Sequence, residues 1–250
     1  MLRTLRLAAT CVAFMLPLAA CSTAGSAHDA TPASAPDALP VAADTAFRAT
    51  GNEPSWRLDV SATEMSLLTD FGQTRVVAPA PTVAVAGATR TFMARSAQGK
   101  TTATFVDRVC VDTMSGMPHP QSVTVVAGGQ TLKGCGGEPA SLLQGAEWAV
   151  VSIDGKPLVA GSKATLTFAP DGRLSGQSSC NRFMSQYALS GEGLSISSAA
   201  GTRMMCEAQL MQQEQAFLAA LSSTQGFSIS ADGALLLRTG DGRTIEARRP

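Results

Sequence analysis

Apolar and polar residues alternate with a period of two through most of this chain. Trp56, Leu58 and Val60 are separated by polar neighbours, as are Met65 and Leu67, Val83 and Val85, and Val123 and Val125. Successive strand residues point to opposite faces, so this pattern predicts half-buried antiparallel strands from Phe47 to about Glu138. Glycines at Gly87, Gly99 and Gly128-Gly129 mark the joints. No helical stretch stands out there, and a small sandwich or barrel is the natural closure.

From Gly145 the rhythm resumes in a different arrangement. Trp148, Val150 and Ser152 alternate before an Asp154-Gly155 turn. Ala164, Leu166 and Phe168 precede Pro170-Asp171-Gly172 and then Leu174. Phe227 and Ile229 come before Asp232-Gly233, followed by Leu235 and Leu237. Asp241-Gly242 leads into Ile245 and Ala247. Asp-Gly between alternating segments is a hairpin signal, because glycine accepts positive φ without a steric penalty. One helix is predicted over Arg203 to Leu221. Cys206, Leu210, Phe217 and Leu221 share a face with the polar exception Gln213, broadened by Met211 and Leu218, and Thr202 is placed as N-cap. The fold class read from these patterns is mainly β (α+β): two small antiparallel domains, 45–140 and 145–250, the second with one amphipathic helix packed on its sheet.

The N-terminus is unlike the rest. Arg3 and Arg6 precede an apolar stretch from Leu7 to Leu16, and small residues lead to Cys21. This is the layout of a secretory signal over residues 1–20. A membrane span is the competing reading, but Leu7 to Ala20 falls short of the roughly 20 residues a span needs, and Pro17 interrupts it. Signal cleavage without acylation is another. Ser22 to Asp44 contains eight Ala and three Pro and almost no large apolar residues, so 21–44 reads as a flexible tether, with His28 solvated in it.

Charge changes the picture mainly by exclusion. Without residues 1–20 the chain would hold 17 basic and 19 acidic residues, with no basic stripe, which argues against nucleic acid as a partner. One Tyr and two Trp give poor support for an aromatic sugar platform. Beyond Cys11 and Cys21 the cysteines are Cys110, Cys135, Cys180 and Cys206. In an oxidising compartment the simplest of their three connectivities is sequential, Cys110–Cys135 and Cys180–Cys206. Each closed loop would contribute about 3–4 kcal/mol on the chain-entropy model. Zinc ligation competes poorly, since CxxC and CxxH spacings are missing.

Several segments resemble known families. Leu18-Ala19-Ala20-Cys21 resembles the lipobox of bacterial lipoproteins, which implies acylation at Cys21 and a membrane partner held through that anchor. Ser22, where inner-membrane retention uses Asp, implies the outer membrane, facing the periplasm. Gly51-Asn52-Glu53-Pro54-Ser55-Trp56, Cys110-Val111-Asp112-Thr113-Met114-Ser115-Gly116 and Lys133-Gly134-Cys135-Gly136-Gly137 together resemble an uncharacterised domain of envelope lipoproteins. That domain is loosely akin to inhibitors of c-type lysozyme, although the family pattern has an aromatic residue at the place of Ser55. The second half resembles the META (HslJ-like) domain through Trp148, Phe168-Ala169-Pro170-Asp171-Gly172-Arg173-Leu174-Ser175-Gly176, Ser179-Cys180-Asn181-Arg182-Phe183, Thr202-Arg203-Met204-Met205-Cys206 and Glu214-Gln215-Ala216-Phe217. Ser179 stands where that family usually has Gly. The resemblance implies a role in stress or antibiotic tolerance, motility or secretion, with no established enzymatic mechanism.

Candidate chemistry is sparse. The histidines, His28 and His119, do not assemble a Ser-His-Asp or Cys-His constellation. Gly134-Cys135-Gly136-Gly137 lacks the Lys-Ser/Thr of a phosphate loop. Glu53 and Asp112 are a conceivable acid–base pair, with turn formation the plainer role. Asn52, Glu53 and Trp56 could line a polar pocket, or form a strand-entry turn over a core Trp. Asn181-Arg182 and Thr202-Arg203 would meet across the second disulfide, where two arginines could fork onto a carboxylate or phosphate. Alternatively Asn181 and Thr202 cap backbone groups and the arginines cover apolar surface. Met204, Met205 and Met211 are expected to fill core gaps. The expectation is a non-enzymatic outer-membrane lipoprotein, without metal or cofactor, supporting the envelope by binding a protein partner. Inhibition of a lysozyme-like hydrolase is the alternative.

Overall fold

Each half of the chain closes its own β-sheet around its own core. The computed structural model describes residues 39–40 and 46–249. The signal segment, Cys21, His28 and most of the tether lie outside the described residues. Leu39–Pro40, expected to be tether, instead forms a short strand against Thr82–Ala86. An edge strand presents unpaired N–H and C=O groups, and this segment supplies their partners.

The first half is an antiparallel meander. Ala46–Asn52, Ser55–Ser61, Glu64–Thr69 and Thr74–Pro79 pair in succession. Thr82–Ala86, Thr89–Ser96, Gly99–Val106, Gln121–Ala127 and Gln130–Gly136 form the second run. The last strand returns to the first, with Cys135 opposite Thr50 and Gly136 opposite Ala49. The alternating residues Trp56, Leu58, Val60, Met65, Leu67, Val123 and Val125 are buried in one core, with Phe92 and Phe105 added. Phe47, Phe92 and Phe105 meet in tilted and edge-on contacts at centroid distances of 4.7–5.5 Å.

The second half has the strand order Gly193–Ile196, Arg182–Ser190, Arg173–Ser179, Lys163–Phe168, Trp148–Ile153, Thr244–Arg248, Leu235–Thr239, Thr224–Ile229. Its core holds Trp148, Phe168, Leu174, Phe183, Leu235, Leu237 and Ile245, sealed by Phe217, Ala220 and Leu221 of the helix Ala208–Ser222. The Trp148 indole donates to Leu143 O at 2.7 Å, and the Arg249 guanidinium stacks 4.5 Å over its ring. A shorter helix, Ala140–Leu143, leads into this half. Met117 of the first half packs against the second core.

The long helix starts five residues later than the periodicity predicts. Glu207, not Thr202, occupies the N-cap position, and without a side-chain capping bond. The residues before it are claimed by tertiary bonds. Met204 N–H donates to Asn181 Oδ1 at 2.8 Å, and Asn181 Nδ2 donates to Met204 O at 3.3 Å. Amide groups held on both sides by a buried side chain are not free for a helical ladder. The methionine expectation fails with it. Met204 is 57% exposed, Met205 93% and Met211 37%.

Candidate functional site

In the first half, two sequence-distant loops are drawn into one groove. The turn at Asn52-Glu53-Pro54 joins the strands Ala46–Asn52 and Ser55–Ser61. The second loop starts at Cys110, which is bonded to Cys135 with a Cα–Cα distance of 5.5 Å. Asn52 Nδ2 bridges them, donating to Asp112 Oδ2 at 2.9 Å and to Thr113 Oγ1 at 3.0 Å. The groove has a volume of about 540 Å³; its walls include Asn52, Glu53, Asp112, Arg108 and Lys133, together with the two cysteines of the disulfide. Both signs of charge therefore share one cleft.

Trp56 is not in that groove. It is 3% exposed, and its indole N–H donates to Lys133 O at 3.2 Å from within the core. The ring explains two glycines. A Cβ on Gly51 would stand 2.2 Å from the Trp56 Nε1, and one on Gly134 would stand 2.0 Å from Thr50 O. Trp56 thus sets the close backbone approach that positions Asn52, while Glu53 is an exposed part of the groove wall.

Asp112 does not pair with Glu53. Its Oδ1 accepts from Ser115 N–H and Oγ–H at 2.8 Å each and from Met114 N–H at 3.1 Å. Partial burial works to raise its pKa, but donation from Ser115, Asn52 and Met114 prevails and lowers it to about 2. At neutral pH it is a fixed anion and a poor base. His119 pairs with Cys110 across a two-residue ladder, and its Nδ1 lies 2.9 Å from Gly137 O.

In the second half, Cys180 is bonded to Cys206. Beside this link Asn181 is 4% exposed and saturated by partners. Its Oδ1 accepts from Thr202 Oγ1 at 2.7 Å and from Met204 N–H. Its Nδ2 and its backbone N–H donate to the two oxygens of Glu214 at 3.0 and 3.1 Å, and Ser178 Oγ donates there also. Asn181 and Thr202 are therefore capping groups. Arg182 and Arg203 are exposed, and neither takes part in an ion pair among the described residues.

Residues 141–250 match the model of the META domain. The second half of the chain is a META domain. Part of the chain is similar to solved structures. An NMR structure of a protein from Burkholderia xenovorans is 32% identical, covering 44% of this chain and 86% of that one, with a TM-score of 0.38. Another NMR structure is 27% identical over 43% of this chain and 92% of the other, with a TM-score of 0.36. A search of curated proteins finds no match.

Pattern reading missed Glu214 and Gln213 as structural centres of the META domain. Gln213 accepts from Val159 N–H at 2.7 Å and also bonds Ser162. The signal was present: a polar residue on an otherwise apolar helix face needs a buried partner. Arg108 and Lys133 of the groove carried no such signal. Among the described residues no group of three or more His, Cys, Asp or Glu is placed to hold a metal ion.

Proposed function

We propose that this chain is an outer-membrane lipoprotein, anchored through Cys21, that supports the envelope by binding a protein partner and not by catalysis. The observation that carries the binding reading is the first-half groove. Its walls are held by the Cys110–Cys135 bond and the Asn52–Asp112 hydrogen bond, so little freedom is lost when a partner docks. Asp112 and Glu53 supply negative charge, Arg108 and Lys133 positive charge, an arrangement suited to selecting a partner of complementary pattern. Anchorage rests on the segment Leu18-Ala19-Ala20-Cys21.

Cross-linking in intact cells tests this reading, comparing the native chain with Cys21→Ala and with the pair Arg108→Glu and Lys133→Glu. A discrete partner captured by the native chain and lost in both variants supports it. Capture unchanged by the charge reversals places binding elsewhere. Stoichiometric inhibition of a lysozyme-like hydrolase by the chain would replace envelope support with the inhibitor reading.

A further inference from the structure

The META domain exposes methionines on a loop that the fold holds unusually firmly. The Cys180–Cys206 bond and the buried Asn181 amide, itself held by the Glu214 carboxylate, fix the segment from Thr202 to Cys206. That segment adds little to the core: Met205 is 93% exposed and Met204 57%. Next to it, Thr202 N–H donates to Arg182 O at 3.0 Å, and Arg182 begins the strand that carries Met184, itself 63% exposed. The cross-strand neighbours of Met184 are Ser175 and Ala200, too small to cover it. Arg182 lies opposite Gln177, and Arg203 adjoins Met204. The only acidic residue from Thr202 through the helix start is the exposed Glu207.

We propose that Met184, Met204 and Met205, with Arg182 and Arg203, form a surface that docks on an anionic phospholipid bilayer. Flexible thioether side chains enter the headgroup boundary with little demand for shape. The two arginines, which have no ion-pair partner among the described residues, meet lipid phosphates. An acidic protein is the other conceivable occupant. The bilayer is favoured because exposed thioethers stand beside the two arginines, a pairing that matches anionic headgroups over an apolar interior. The inference relies on the proposed anchorage only for proximity to the membrane.

The test is methionine oxidation, read by peptide mass mapping, in the native acylated chain bound to vesicles. The vesicles are phosphatidylcholine alone or phosphatidylcholine mixed with phosphatidylglycerol. Met114, 82% exposed in the first half, is the internal control. Anionic vesicles should slow oxidation of Met204 and Met205 about tenfold relative to Met114. Phosphatidylcholine alone should not, and Arg182→Glu with Arg203→Glu should abolish the protection. Oxidation of Met205 at the Met114 rate on anionic vesicles overturns the proposal. So does protection that survives the charge reversals. Failure to sediment with phosphatidylcholine vesicles counts against anchorage instead, so the two readings fail separately.

Discussion

Replacing Asn181 with Ala removes one amide and four hydrogen bonds. Thr202 Oγ1 and Met204 N–H lose their acceptor at 2.7 and 2.8 Å, Met204 O loses a donor at 3.3 Å, and Glu214 loses one at 3.0 Å. A neutral hydrogen bond contributes about 0.5–1.5 kcal/mol net, and one to a charged group about 1.5–3 kcal/mol. Full loss would sum to about 3–7 kcal/mol. Water reaches the exposed Thr202 and Met204 and replaces part of this, leaving about 2–4 kcal/mol. The Asn181 backbone N–H still reaches Glu214, and the disulfide still closes the loop. Urea unfolding in a Trp56→Phe background isolates the fluorescence of Trp148, the other tryptophan of the chain. The midpoint of that transition should fall by about 1–2 M urea. A loss under about 1 kcal/mol, with the disulfide and circular dichroism intact, would show that water satisfies these groups equally well and that the network does not hold the loop.

Four further outcomes follow from the geometry. Converting Cys180 and Cys206 together to Ser opens a link spanning 26 residues and should cost about 3–4 kcal/mol in thermal unfolding. Ser179 has φ of 127°, a conformation natural to glycine, so Ser179→Gly relieves strain while losing the bonds from Ser162 at 3.0 Å and from Gln213 Nε2 at 3.5 Å. The net should lie between zero and a gain of about 1 kcal/mol, and a clear loss in calorimetry would refute the strain argument. Gly134→Ala drives a Cβ into Thr50 O and the Trp56 ring and should cost at least about 3 kcal/mol, with Trp56 fluorescence shifted to the red. Asp112 has its folded pKa depressed to about 2, so its contribution is complete above about pH 4 and is lost as pH falls through about 2. Asp112→Asn should flatten stability across that window and cost on the order of 1 kcal/mol at neutral pH, discounted for solvent screening, as acid titration of unfolding would measure.

The parts of the fold legible in sequence are those whose physics is local. Trp56, Leu58 and Val60 alternate because a half-buried strand demands it, and Asp154-Gly155 turns because of its own backbone freedom. The helix start was not legible. Its periodicity extends to Arg203, and a side chain in a distant turn, that of Asn181, overrides it. The groove shows the same limit. Asn52 could be singled out as a polar residue in a turn, but its partner Asp112 lies 60 residues away. Arg108 and Lys133 join it only because the sheet closes, with Cys135 opposite Thr50.

The two halves place an asparagine beside a disulfide and differ in what surrounds it. Asn52 and Asn181 each bridge a strand end to a loop tied by the neighbouring cystine. Around Asn181 the remaining hydrogen-bonding capacity is consumed by Glu214, Thr202 and Met204, so the amide is spent on fixing a loop whose own side chains face outward. Among the described residues the Asn52 amide reaches Asp112 and Thr113 alone, and Glu53, Arg108 and Lys133 line open space. A rigid backbone with unspent charge suits recognition of a discrete partner. A rigid backbone presenting methionine and arginine suits a soft, chemically uniform surface. On the two proposals, the same local device would serve two kinds of contact. Charge reversal in the groove should impair protein capture and leave methionine protection unchanged, while reversal of Arg182 and Arg203 should do the opposite.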